Sequence, residues 1–130
     1  MSYSETLVIP AGTTRVSPAT KVLNLAYGTI NEVIIIIPAG QAGLTRIQMY
    51  YHESQAFPRN MGAYYSGDDT IITFPARYPI HSEPLELVLV GWAPSATLEH
   101  SIVVEVGLVE ESLLAMSGFV VPALPEGMGV

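Results

Sequence analysis

Val33-Ile-Ile-Ile-Ile37-Pro-Ala-Gly-Gln-Ala-Gly43, followed by Leu44-Thr-Arg-Ile-Gln-Met-Tyr-Tyr-His52, decides the fold class of this chain. The first run is β-branched throughout and apolar on both faces. That is the pattern of a strand buried on both sides, or of one whose outer face a neighbour covers. Pro38 cannot donate to a sheet ladder, and Gly40 and Gly43 suit a turn, so the strand stops there. Leu44–His52 then alternates, with Ile47, Met49 and Tyr51 on one face and Arg46, Gln48, Tyr50 and His52 on the other.

Working outward, the same signals recur. Thr6–Ile9 reads as a short strand ended by Pro10-Ala-Gly12, and Val22–Tyr27 as another ended by Gly28. Thr70–Phe74 is a strand between Asp69 and Pro75, and Arg77–Pro84, with its prolines, reads as a crossing loop. Leu85–Val90 points Leu85, Leu87 and Leu89 inward, Gly91–Ser95 turns the chain, and Ser101–Val109 points Ile102, Val104, Val106 and Leu108 inward. Glu53–Asp69 reads as irregular. About seven short strands with regular turn signals predict an all-β fold, an antiparallel β-sandwich of jelly-roll or Greek-key type with extended N- and C-terminal arms. Residues 1–20 are read as an N-terminal arm and first short strand, 21–109 as the sandwich core, and 110–130 as an apolar C-terminal arm. Only Val109–Met116 carries a pattern that suits a helical turn. Val8-Ile-Pro-Ala-Gly-Thr13 and Ile36-Ile-Pro-Ala-Gly-Gln41 echo one another as strand endings, a similarity too short to imply a repeat.

The chain has 130 residues, enough for one domain with a single core. Hydrophobic residues make up 49% and charged residues only 13%, about half the usual charged share, so part of the surface is expected to be covered by partners. Five basic against twelve acidic residues give a net charge of −7, and the basic ones are scattered singly, which argues against nucleic-acid binding. The absence of cysteine excludes disulfides, thiol catalysis and cysteine zinc sites. Met-Ser-Tyr-Ser-Glu5 lacks the basic and apolar regions of a signal peptide, and no apolar run approaches the ~20 residues of a membrane helix. A soluble product made in the cytoplasm, with no membrane contact, is the expectation.

Beyond Glu111 the only charged residue is Glu126, while Leu113, Leu114, Met116, Phe119, Val120, Val121 and Leu124 are apolar. Pro122, Pro125 and the glycines prevent one regular element. A disordered tail is normally polar. This one calls for a surface to lie on, its own domain or another subunit, and its seven apolar side chains are the candidate interface with that surface.

Chemistry has little support. His52, His81 and His100 show no metal spacing, and the adjacent pairs His52-Glu53 and Glu99-His100 point to opposite faces if strand-like. No Gly-x-Ser-x-Gly elbow is present. Asp68-Asp69 suits a turn that caps local amides better than a calcium loop. No catalytic residue, metal or other cofactor is expected. The candidate ligand loop is Tyr64, Tyr65, Asp68, Asp69 and Trp92, because exposed aromatics in glycine-rich turns suit sugar platforms and binding surfaces. Tyr51 is placed in the core.

Three stretches, Gly28–Leu44, Gly67-Asp-Asp-Thr-Ile-Ile-Thr-Phe-Pro75 and Gly91-Trp-Ala-Pro-Ser95 with the strand after it, together resemble small β-sandwich virion proteins of tailed bacteriophages, the head-decoration and auxiliary capsid type. The resemblance spans roughly residues 22–109 and lies in strand and turn signatures. It implies a non-enzymatic jelly-roll-like subunit of the virion, forming a homo-oligomer, in particular a trimer. Such a subunit sits on the major capsid protein or a neighbouring virion protein, its arms reaching adjacent subunits. The long apolar C-terminal extension departs from that pattern. A carbohydrate- or receptor-binding β-sandwich module is the alternative. A jelly-roll enzyme would require the three histidines to converge in one cavity.

Overall fold

The computed structural model describes residues 1–111. These form eight strands: β1 Ser2–Ile9, β2 Ala19–Asn24, β3 Gly28–Ile37, β4 Arg46–Tyr51, β5 Ser54–Phe57, β6 Thr70–Ile80, β7 Glu86–Trp92 and β8 His100–Glu110. Sheet A has the order β1-β8-β3-β6 and sheet B the order β2-β7-β4-β5, with every pairing antiparallel. The pairs β1·β8, β2·β7, β3·β6 and β4·β5 are nested, as in one long hairpin rolled onto itself. That nesting defines a jelly roll, so the expected antiparallel sandwich is the observed fold.

The pleat explains the core. Val33, Ile35 and Ile37 of β3, Ile47 and Met49 of β4, Leu87 and Leu89 of β7, and Ile102, Val104, Val106 and Leu108 of β8 are all buried between the sheets. Ile30 and Val33 both point inward although they are three residues apart. A bulge at Asn31, between Ile30 and Glu32 in the β3–β8 register, resets the alternation. Gly107 sits opposite it, where an added Cβ would lie 2.7 Å from Asn31 Oδ1. At the start of β3, Gly28 is buried against the end of β8, and a Cβ there would lie 2.2 Å from the Val109 carbonyl oxygen. Glycine is therefore required for β8 to run on beside β3.

Several boundaries differ from the sequence reading. The first strand is longer than Thr6–Ile9 and takes in residues read as an arm, and β2 begins at Ala19 and ends at Asn24 rather than running from Val22 to Tyr27. β1 starts at Ser2 and pairs with β8 from Ser2↔Gly107 to Ile9↔His100, giving Leu7 and Ile9 to the core. Its outward Ser2, Ser4 and Thr6 make it look polar, as suits an edge strand. β6 runs through Pro75 and Pro79 to Ile80 rather than giving way to a loop at Arg77, because an edge strand tolerates residues without a donor. β5 lies within the stretch read as irregular. β7 continues through Gly91 to Trp92, and Gly91 gives room to Leu7 and Ile9, either of which would lie 2.7 Å from an added Cβ. Val109 and Glu110 belong to β8 and Glu111 follows it; residues 112–116 of the proposed helical turn lie outside the described residues. Both Pro-Ala-Gly echoes do end strands, and Gly12 and Gly40 adopt φ of 74° and 97°.

Candidate functional site

Three surface features are built by this frame, and the residues singled out from sequence divide among them. The first is the outer face of sheet A. Here the register sets Thr6, Val103, Ile36 and Ile71 in one row across four strands, and Ser4, Glu105, Ile34 and Thr73 in the next. Ile34, Ile36 and Val103 are half-buried by each other, Val8 is 45% exposed and Ile71 67% exposed. Glu105 is the only charge in the two rows. Among the described residues, the isoleucine run of β3 is covered on its inner side by sheet B, and its outer side is an apolar strip that no described residue covers.

The second feature is the outer face of sheet B. Trp92 and Arg46 are cross-strand neighbours, and Tyr64 folds over them from the β5–β6 connection. The Tyr64 and Trp92 rings meet edge to face at 5.7 Å. Arg15 lies 4.7 Å over the Trp92 ring and Arg46 lies 5.2 Å over Tyr64, so two cations flank one aromatic pair. Trp92 is only 3% exposed under this cover. The expectation of an open Trp92 platform is therefore corrected: the indole is a support for Arg15 and Tyr64. Beside it, Arg15, Pro18, Gln48, Tyr50, His52 and Val90 line a shallow groove of about 380 Å³. Gln48 donates to the Ala63 carbonyl at 2.7 Å and accepts from the Tyr50 hydroxyl at 3.2 Å, which fixes the groove floor.

The third feature lies where the two sheets open along their β5 and β6 edges. Phe57, Tyr65, Phe74, Pro75 and Ala76, with Arg59 and Arg77 at the rim, line a slot of about 540 Å³. Tyr65 is held there by a two-way backbone bridge to Ile47 (2.9 and 3.0 Å) and stacks on Phe74 at 5.7 Å. Partial burial pushes its phenol above the ordinary tyrosine range. Tyr64 and Tyr65 are consecutive, but the Tyr64 ring lies on Trp92 at the outer face of sheet B and the Tyr65 ring on Phe74 in the slot, so the candidate loop is divided between two surface features.

Asp68 belongs to none of the three. Its Oδ1 accepts from the amides of Gly40 at 2.8 Å and Gln41 at 2.9 Å, closing the Pro38–Gly43 turn. Hydrogen bonds from the backbone of Ala42 and Gln41 hold its carboxyl below the usual range, against the opposing effect of desolvation and with a lesser contribution from Gly40. This is the capping role weighed against calcium binding. Asp69, the residue before β6, has φ of 48°. Among the described residues no group of three or more metal-ligating side chains gathers.

The three histidines have different partners. His81 stacks on Tyr27 and meets Glu111 at 2.9 Å, just past the end of β8. His52 stacks on Tyr51 and lies 3.2 Å from the Ser82 carbonyl, which also accepts from the Tyr51 hydroxyl. His100 begins β8, ten residues of strand away from the His81 end, about 33 Å along it. The convergence that a three-histidine site requires is not met. The apolar arm residues Leu113, Leu114, Met116, Phe119, Val120, Val121 and Leu124 lie outside the described residues.

Compared with known proteins, the chain matches no family model and no curated sequence.

Proposed function

We propose that this protein is a non-enzymatic structural subunit that acts by self-association and surface burial, of the kind that decorates or joins the shells of phage particles. One observation carries the reading: the apolar strip of Val8, Val103, Ile34, Ile36 and Ile71 across all four strands of sheet A. β-Branched side chains on a flat outer face cost solubility unless another surface covers them. The low charge of the chain and its apolar C-terminal sequence support the same reading. A homotrimer seated on a shell protein is the arrangement that the resemblance favours.

Light scattering on the full chain tests it. Ile36→Lys with Ile71→Lys should reduce the assembled mass towards the monomer while the circular dichroism of the sandwich is kept. An unchanged assembled mass would refute the role of this face.

The groove beside Trp92 favours a second reading, a carbohydrate- or receptor-binding module. Tyr50, Gln48, His52 and Arg15 offer an aromatic edge and polar groups along a fixed floor. A glycan array with and without calcium separates the two, since a pure shell subunit binds no glycan in either condition.

A further inference from the structure

The slot between the sheet edges has a composition that the proposed self-association has not used. Two of the five basic residues of this acidic chain, Arg59 and Arg77, stand at its rim. Both are exposed, and among the described residues neither forms an ion pair; Arg59 rests 5.3 Å over the Tyr78 ring. The walls are aromatic, with Phe57 in tilted contact with Phe74 at 5.7 Å and Tyr65 stacked on Phe74 at 5.7 Å; Tyr78 backs Phe57 at 5.3 Å. An apolar cleft with two uncompensated cations at its mouth suits an extended segment that carries bulky apolar side chains and a carboxylate.

The chain itself contains such a segment. In residues 112–130 the apolar residues include Phe119 and Leu124, and Glu126 is the single charge. The last described residue, Glu111, is held by the Tyr27 carbonyl at 3.0 Å, Thr29 at 3.0 Å and His81 at 2.9 Å. From that anchor, residues 112–130 span up to roughly 60 Å when extended. The longest strands have 11 residues, about 36 Å, so the segment outreaches its own domain.

We infer that the slot receives the apolar C-terminal segment of a second copy of this chain, with Arg59 and Arg77 meeting Glu126 of that copy. The inference rests on the self-association reading and names where one subunit grips the next. The occupant is extended, so its apolar side chains enter the aromatic cleft and its backbone passes the exposed edge of β6. Pro75 and Pro79 limit the donors of that edge, which leaves side-chain contacts to set the specificity.

The test uses charge-reversed full-length chains in sedimentation velocity. Arg59→Glu with Arg77→Glu alters exposed residues only, and Glu126→Arg alters the segment, so circular dichroism should be unchanged in both. Each variant alone should associate about tenfold more weakly than the parent chain, because like charges then face each other at the slot. The triple variant, reversed at both slot and segment, should regain assembled mass, since every reversed slot then meets a reversed segment of another copy. Association equal to the parent in both single-side variants overturns the inference while leaving the sheet A reading intact. A triple variant that stays dissociated also overturns it, and places the segment on its own domain if its thermal stability is regained. A parent chain that is monomeric at every concentration overturns the self-association reading and this inference with it.

Discussion

Ile35 and Ile36 are neighbours in β3, yet substitution at the two positions should have opposite consequences. Ile35 is fully buried between the sheets. Truncation to alanine removes three carbons, worth about 0.8 kcal/mol each in transfer, and the residual cavity brings the loss to roughly 3–4 kcal/mol. At about 4 °C per kcal/mol for a domain of this size, the melting temperature should fall by roughly 15 °C. Ile36 faces the open side of sheet A, in the row with Val103 and Ile71. Ile36→Lys should change the stability of the isolated subunit by no more than about 1 kcal/mol. It should weaken self-association about tenfold, since a buried apolar contact of order 1 kcal/mol is lost and an ammonium must be desolvated. Differential scanning calorimetry at low concentration reads the first effect, and sedimentation across a dilution series reads the second. The reasoning fails if Ile36→Lys unfolds the domain as severely as Ile35→Ala, or if it leaves the association constant unchanged.

Other positions give independent checks. Gly28→Ala would set a Cβ 2.2 Å from the Val109 carbonyl oxygen, a backbone atom that cannot swing aside; a loss of about 1–3 kcal/mol in denaturant unfolding is expected, and an unchanged midpoint contradicts the tight β3–β8 approach. Asp68 has a folded pKa below its unfolded value, so its contribution is fully present above the unfolded pKa and is lost as pH falls through the folded one. The parent should therefore lose thermal stability more steeply than Asp68→Asn on acidification below about pH 4, and parallel curves would refute the capping role. Trp92 is the only tryptophan and is 3% exposed beneath Arg15. Arg15→Ala should shift its fluorescence to longer wavelength and make it more accessible to acrylamide, whereas an unaltered spectrum would mean that Tyr64 alone covers the ring.

Strands that cross the middle of a sheet were the easiest to read. β4, β7 and β8 show their inward residues directly, because both neighbours force the pleat to alternate against the core, whereas β3 shows itself as a strand but its all-apolar run hides which residues face inward. Edge strands were obscured by the features that make them edges. β1 hides behind outward serines, β6 behind Pro75 and Pro79, and β5 is a four-residue strand of mixed polarity. The candidate site was less legible. Tyr64 and Trp92 were both singled out, but their mutual contact and the burial of the indole depend on Arg15 and Arg46, which arrive from distant parts of the chain. The slot joins Phe57 to Phe74 across two sheets, a proximity that no local pattern encodes. Alternation along β8 showed Val103 facing away from the core, but its row with Ile36 and Ile71 follows only from strand order.

Sedimentation equilibrium of the unaltered chain, from low micromolar to millimolar concentration, tests the central reading most directly. Covering of the isoleucine strip by other copies predicts a discrete species at a whole multiple of 14.0 kDa that dissociates on dilution. A single 14.0 kDa species across the whole range would contradict it.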